Sequence, residues 1–203
     1  MTATIPPDAE ELLLPSPKLS VLELINFDFP SAQPLKHSPW DAFDFFDRAD
    51  SDSISLVEIQ SISIPSLQTA SSLLQNMPRA MQEGFKSVRC HHSDAFKQKT
   101  YPLWIINYWT ASYAVRSARD RWRCAENYIQ NRLSEWKKKE SSQSRVALIH
   151  QILDTLDSTP WSTQLQGFSK DSISDDGFIS LTCYASKEWL KGEHMNQMLD
   201  LLR

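Results

Sequence analysis

The sequence predicts a mainly α-helical protein: a long antiparallel helical hairpin plus short helices, with a disordered, Pro-rich acidic N-terminal arm. Three observations predict it. Between Leu103 and about Trp136, the residues Trp104, Tyr108, Ala111, Val115, Ala118, Trp122, Ala125, Ile129, Leu133 and Trp136 recur at spacings of three and four, with no internal Gly or Pro. After the polar stretch "WKKKESSQS", Val146, Ile149, Leu153 and Leu156 repeat the same spacing, so a short loop joins two striped helices. Seven of the eleven prolines fall within residues 1–39, where regular structure would have to accommodate missing N–H donors.

In chain order, residues 1–65 read as an extended acidic arm. Within it lie two acidic–apolar patches, "LSVLELINFDF" and "WDAFDFFDRAD". Trp40, Phe43 and Phe46 are placed to share one face of a short helix that folds on docking or covers the domain behind it. "DSDSISLVEIQSISIP" reads as an extended segment ending at Pro65. A helical domain then occupies 66–190. "SLQTASSLLQNMP" is a short helix with Ser66 as N-cap, closed before Pro78. The long helix, about 103–138, has Thr100 as a candidate N-cap and Pro102 near its first turn. At 1.5 Å per residue it is about 50 Å long, and Lys137–Lys139 sit at the negative end of its macrodipole. Its partner helix runs about 143–157. Pro160, Gly167 and Gly177 then mark a loop with a buried Trp161 or Phe168, and a helix follows around 178–189. Finally 191–203 reads as the start of a helix, with Met195, Met198, Leu199 and Leu202 forming one apolar stripe for docking to a partner surface.

Composition narrows the function classes. The N-terminus has no basic n-region or long apolar core, and no apolar run approaches the ~20 residues of a membrane span. Three Cys without a C-x-x-C pair suggest reduced thiols. These readings predict a soluble, non-secreted protein of the nucleus or cytoplasm, with no membrane partner. The net charge of −4 hides an uneven distribution: residues 79–139 carry 13 Lys/Arg against 5 Asp/Glu, between two acidic flanks. A basic middle of that kind holds nucleic acid or attracts the chain's own acidic flanks. Arg116, Arg119 and Arg123 line one side of the long helix at i, i+3 and i+7, and are the candidate nucleic-acid contacts; an ordinary solvated face is the alternative.

Catalytic chemistry has little to stand on. Cys90, His91 and His92 are adjacent, which suits tetrahedral zinc poorly, and Cys124 lies alone within the long helix. Cys183 and His194 are near one another in sequence, but no Gly-bearing turn surrounds the thiol to supply oxyanion donors. There is no phosphate-cradling Gly loop, H-E-x-x-H or nucleophile elbow. No catalytic residue, metal ligand or cofactor is therefore assigned.

The segment "WLKGEHMNQMLDLLR" resembles the opening of the catalytic domain in the ubiquitin-like-protein (SUMO) deconjugating cysteine proteases. The residues that carry the likeness are Trp189, Leu190, Glu193, Met195, Asn196, Met198, Leu199, Leu201 and Leu202. Upstream, "YPLWIINYW" (101–109), the helix through Trp122–Ala125 and "STPWSTQLQGF" (158–168) look like the region preceding that domain in large fungal, mobile-element-associated proteins. That family's catalytic His-Trp pair and D-x-C-G nucleophile do not occur here. The resemblance thus implies a leading, non-catalytic segment, truncated where the enzyme would begin, whose oligomeric state is open. Beside it, Ile54, Ser55, Leu56 and Val57 follow "DRADSDS" and are similar to a SUMO-interacting motif, in which an extended quartet adds a strand to the modifier's sheet. An ordinary edge strand is the alternative. Protein partners are expected, either SUMO or the missing protease domain, with nucleic acid as the second class.

Overall fold

A computed structural model describes residues 3–30, 42–89, 99–138, 143–164 and 177–185. The protein is mainly α-helical, with one small sheet. Its helices are α1 (Pro7–Leu13), α2 (Val21–Ile25), α3 (Leu56–Ser61), α4 (Leu67–Gln82), α5 (Trp104–Lys137) and α6 (Gln143–Ser158). Strands β1 (Phe46–Asp47), β2 (Ser87–Arg89) and β3 (Thr100–Pro102) form the sheet, and 3-10 turns cover Ala42–Phe45 and Gly177–Ala185. Among the described residues no helix is long and apolar enough to cross a membrane.

The chain divides into two compact units. One combines Met1–Pro15 with Asp28–Val115, the other Ser16–Phe27 with Arg116–Arg203. The predicted boundary at residue 65 is therefore corrected, and so is the extended arm. Within the arm, α1 buries Ala9 and Leu13, α2 buries Val21, Leu24 and Ile25, and α3 buries Ile59. The prolines open helices here instead of preventing them: Pro7 occupies the first position of α1, where its missing N–H has no intrahelical partner to lose. In α2, Ser20 and Glu23 form a reciprocal capping box, which lets a five-residue helix persist.

The first unit is built around α4 and the first turns of α5. Ser66 caps α4 as predicted, accepting from the Thr69 N–H at 3.2 Å. The helix does not stop at Pro78, which lies inside it. Met77 and Ala80, on either side, are buried, so packing offsets the one backbone bond that the proline removes. The true end is Gly84, in the left-handed conformation at φ +86°. There Phe85 N–H bonds Ala80 O at 3.0 Å and Gly84 N–H bonds Met81 O at 3.2 Å, a Schellman closure. At the start of α5, Ile105, Ile106, Tyr108 and Trp109 are all essentially buried. Burial there covers more than the predicted seam, because α5 enters the core among α1, α3, α4 and the sheet.

Short antiparallel pairings went unread in the sequence. Phe46 faces Val88, and Val88 faces Tyr101. Thr100 and Pro102 thus belong to β3, not to the helix start, and Phe43 and Phe46 meet at 5.8 Å between ring centroids without sharing a helix. Asp52 and Thr100 exchange backbone and side-chain hydrogen bonds beside the sheet, including Thr100 N–H to the Asp52 carboxylate at 2.8 Å. Trp40, Cys90, His91, His92 and Phe168 lie outside the described residues.

In the second unit, α6 returns along the latter part of α5, with the Arg145 guanidinium 5.5 Å from the centre of the Trp136 ring. This is the predicted hairpin. From Arg116 onward the seam is sound: Trp122, Ala125, Ile129 and Leu133 are buried, against Ile149 and Leu156 of α6. The segment 16–20 closes onto 159–162 through Val21 N–H to Thr159 O at 3.1 Å and Trp161 N–H to Leu19 O at 3.0 Å. The predicted helix at 178–189 is a 3-10 turn, Gly177–Ala185, as far as the described residues extend.

Two outcomes follow from the first unit. Gly84→Ala places a Cβ in open space, so only backbone strain opposes it; urea unfolding should show a loss of about 1 kcal/mol. Asp47 is held below its ordinary value of 3.8, first by the Ala49 N–H and then by Arg89. A depressed carboxylate contributes stability above the unfolded value that is lost as pH falls through the folded one. Asp47→Asn should thus be less stable at neutral pH by about 0.5–1 kcal/mol and show a shallower loss of stability below the ordinary aspartate range.

Candidate functional site

The predicted sites fare differently. In the SUMO-motif candidate, Ser55 is the N-cap of α3, its hydroxyl accepting from Glu58 N–H at 3.2 Å, and Leu56 and Val57 are the first helical residues. Ile54 and Leu56 pack against the first unit's core, while Val57 is exposed. As folded, the quartet is not an extended edge; a serine followed three residues later by a glutamate favoured helix initiation over a strand.

Two members of the arginine row bond to the protein's own backbone, Arg119 from an enclosed position and Arg123 from an exposed one. Arg123 donates to the carbonyl of Ile25 at 2.7 Å, and Arg119 to the carbonyl of Phe27 at 3.2 Å. Those are the carbonyls at the C-terminal end of α2, where the partial negative charge of a helix end favours cations. Arg119 is largely enclosed and Arg116 half-buried. Two of the three candidate phosphate contacts therefore already hold protein oxygens. Arg121 approaches the Cys183 sulfur at 3.9 Å and the Ile179 carbonyl at 3.4 Å.

Cys183 is buried and Cys124 exposed. Among the described residues no three His, Cys, Asp or Glu side chains gather as a metal site. Burial, and then neighbouring Cys183, raise the Tyr184 phenol above its ordinary 10.0, so it stays neutral through the physiological range. His194 and the stripe Met195, Met198, Leu199 and Leu202 lie outside the described residues, as do Trp189, Leu190, Glu193, Asn196 and Leu201.

The second unit holds a feature that the sequence reading did not locate: an apolar groove of about 540 Å³. Its floor includes Trp122 and Phe178, whose rings lie 5.1 Å apart, with buried Ile129, Ile149 and Leu156. Its walls are exposed apolar side chains, Leu148 (54%), Ile152 (38%) and Tyr184 (37%). The volume lies in the range of ligand clefts. However, no carboxylate, imidazole or thiol lines it among the described residues, and its single charge is Arg132. Such a wall can desolvate apolar side chains but offers no nucleophile or proton-transfer group. The signal in the sequence was the offset of Leu148 and Ile152 from the Val146, Ile149, Leu153, Leu156 stripe, which widens the apolar face of α6 beyond what one partner helix covers.

Comparison with protein-family models, curated proteins and solved structures found no match.

If the arginines act as clasps for α2, Arg123→Met should lower the unfolding free energy by about 1–2 kcal/mol, the scale of a charge-assisted hydrogen bond. Denaturant titration measures it. Unchanged stability together with lost DNA affinity would instead favour the phosphate-binding role.

Proposed function

We propose that the chain is a non-catalytic helical protein-interaction module, of the kind that precedes a SUMO-specific cysteine protease domain, acting in the nucleus or cytoplasm. The observation that supports this best is the apolar groove on the second unit, with large exposed side chains at its walls and no reactive group in its described lining. The sequence resemblance at Trp189–Leu202 supplies the association with the protease family and with fungal mobile elements.

Incubation of the full chain with a SUMO–fluorophore conjugate should give no release above background. Release abolished by Cys183→Ala would overturn the non-catalytic reading. On the binding side, Leu148→Asp/Ile152→Asp should remove captured protein partners while leaving the circular dichroism spectrum unchanged, because both positions are already solvent-facing.

A second reading, nucleic-acid binding through 79–139, rests on the excess of Lys and Arg there. The engagement of Arg119 and Arg123 with carbonyls of Phe27 and Ile25 weighs against it.

A further inference from the structure

We propose that Ser16 is a phosphoacceptor for a proline-directed serine/threonine protein kinase, and that its phosphate loosens the clasp between residues 16–21 and 159–162 of the second unit. The reading does not depend on the groove.

Sequence narrows the acceptors first. Three Ser or Thr residues precede a proline: Ser16, Ser38 and Thr159. Proline offers no N–H and pushes the residue before it toward an extended backbone, the form in which a Ser/Thr-Pro dipeptide enters a kinase cleft. Ser38 lies outside the described residues. Thr159 is half-buried, and both its backbone groups are bonded, the N–H to Thr155 O at 2.9 Å and the carbonyl to Val21 N–H at 3.1 Å. By contrast Ser16, Pro17 and Lys18 are all exposed. Ser16 opens a β-turn, its carbonyl accepting Leu19 N–H at 3.1 Å, with Pro17 where a fixed φ suits the turn. The Ser16 hydroxyl accepts Lys18 N–H at 3.3 Å, which leaves a second lone pair for attack. Ser20 has no such freedom, being buried and committed to the capping box of α2. The reaction is phosphoryl transfer from magnesium-bound ATP. Ser16 Oγ bonds to the γ-phosphorus as the bond to the bridging oxygen breaks, ADP leaves, and the hydroxyl proton passes to the kinase's carboxylate base.

The consequence follows from what surrounds the turn. The Ser16 carbonyl also accepts the Trp161 indole N–H at 3.0 Å, and the Pro17 carbonyl accepts the Ser162 hydroxyl at 2.7 Å. The turn is thus fastened to the chain immediately after α6, which ends at Ser158 and carries Asp154 and Asp157 near that end. A phosphate brings about −1.5 to −2 charges at neutral pH. Here it meets the negative pole of a helix and two carboxylates of like sign. Lys18 is the one cation within 16–27, and 154–164 holds none. Arg119 and Arg123 are engaged at the other end of this segment, on the carbonyls of Phe27 and Ile25. The added charge is therefore under-compensated where the clasp closes, and the two strands separate more often.

The test incubates the full chain with a purified mitogen-activated protein kinase, magnesium and ATP, and maps the phosphate by mass spectrometry. A standard Ser-Pro peptide confirms that the kinase is active, and a synthetic peptide of residues 10–22 reports on the sequence without the fold. The folded chain should take a phosphate on Ser16, Ser16→Ala should lose that site, and Pro17→Ala should slow its labelling severalfold. Circular dichroism checks that both variants keep their helix; the wild-type map needs neither. In the phosphorylated chain the amides of Val21 and Trp161, which bridge the clasp, should exchange with deuterium about fivefold faster, with no change at Trp122–Leu133. Labelling of the 10–22 peptide but not of the folded chain would mean a turn closed to the kinase. Labelling of neither, or only at Ser38 or Thr159, would mean that Ser16 is no acceptor. Either result overturns the proposal, and phosphate on Ser16 with unchanged or slower exchange at Val21 and Trp161 overturns the loosening.

Discussion

The second unit depends on a one-sided burial. Trp122, Ala125, Ile129 and Leu133 of α5 are buried, and Trp122 and Ile129 line one groove with Ile149 and Leu156 of α6 and with Phe178. Each large apolar side chain buried in this way contributes about 1.5–3 kcal/mol relative to exposure. That seam fixes how α6 lies, and α2 then packs on α6 with its last carbonyls held by Arg119 and Arg123. On α6, Leu148 and Ile152 face solvent. The groove forms between this hairpin and the 3-10 turn, which contributes Phe178, Leu181, Tyr184 and Ala185 to its lining.

The same packing gives two residues of the basic face partners within the protein. A helix of five residues has few internal bonds to sustain it and leaves most of its carbonyls unsatisfied. Guanidinium groups projecting from α5 satisfy two of the oxygens at that end, so the positive charge is used where it is generated. The acidic excess of residues 1–78 and the basic excess of 79–139 meet in the same way within the first unit: Asp47 pairs with Arg89, Asp50 with Lys86 and Glu58 with Lys99. The intramolecular reading of the charge pattern thus has specific partners behind it.

The hairpin was legible because a period of three and four held for over thirty residues is hard to satisfy any other way. Elements of two to seven residues were not. β1, β2 and β3 are too short to alternate, and their pairing joins Phe46, Val88 and Tyr101 across 55 residues of sequence. α1, α2 and α3 sit among prolines and serines that also mark disorder; what distinguishes them is tertiary burial of Leu13, Leu24 and Ile59, which composition does not encode. Ser66 was readable as a cap, whereas Pro78 was misleading because packing outweighed its local preference. The groove was half-visible, in the surplus apolar residues of α6, but its lining by Phe178 and Tyr184 joins residues more than twenty positions away in sequence.

The mutual burial of α5 and α6 is the claim on which the groove and its proposed role stand, and amide hydrogen exchange resolved by residue tests it most directly. Amides at Leu153–Leu156 should exchange in the same slow class as those at Trp122–Leu133, because each helix is sheltered by the other. Exchange of α6 near the unstructured rate, while α5 remains protected, would contradict the hairpin as a packed unit and remove the groove with it.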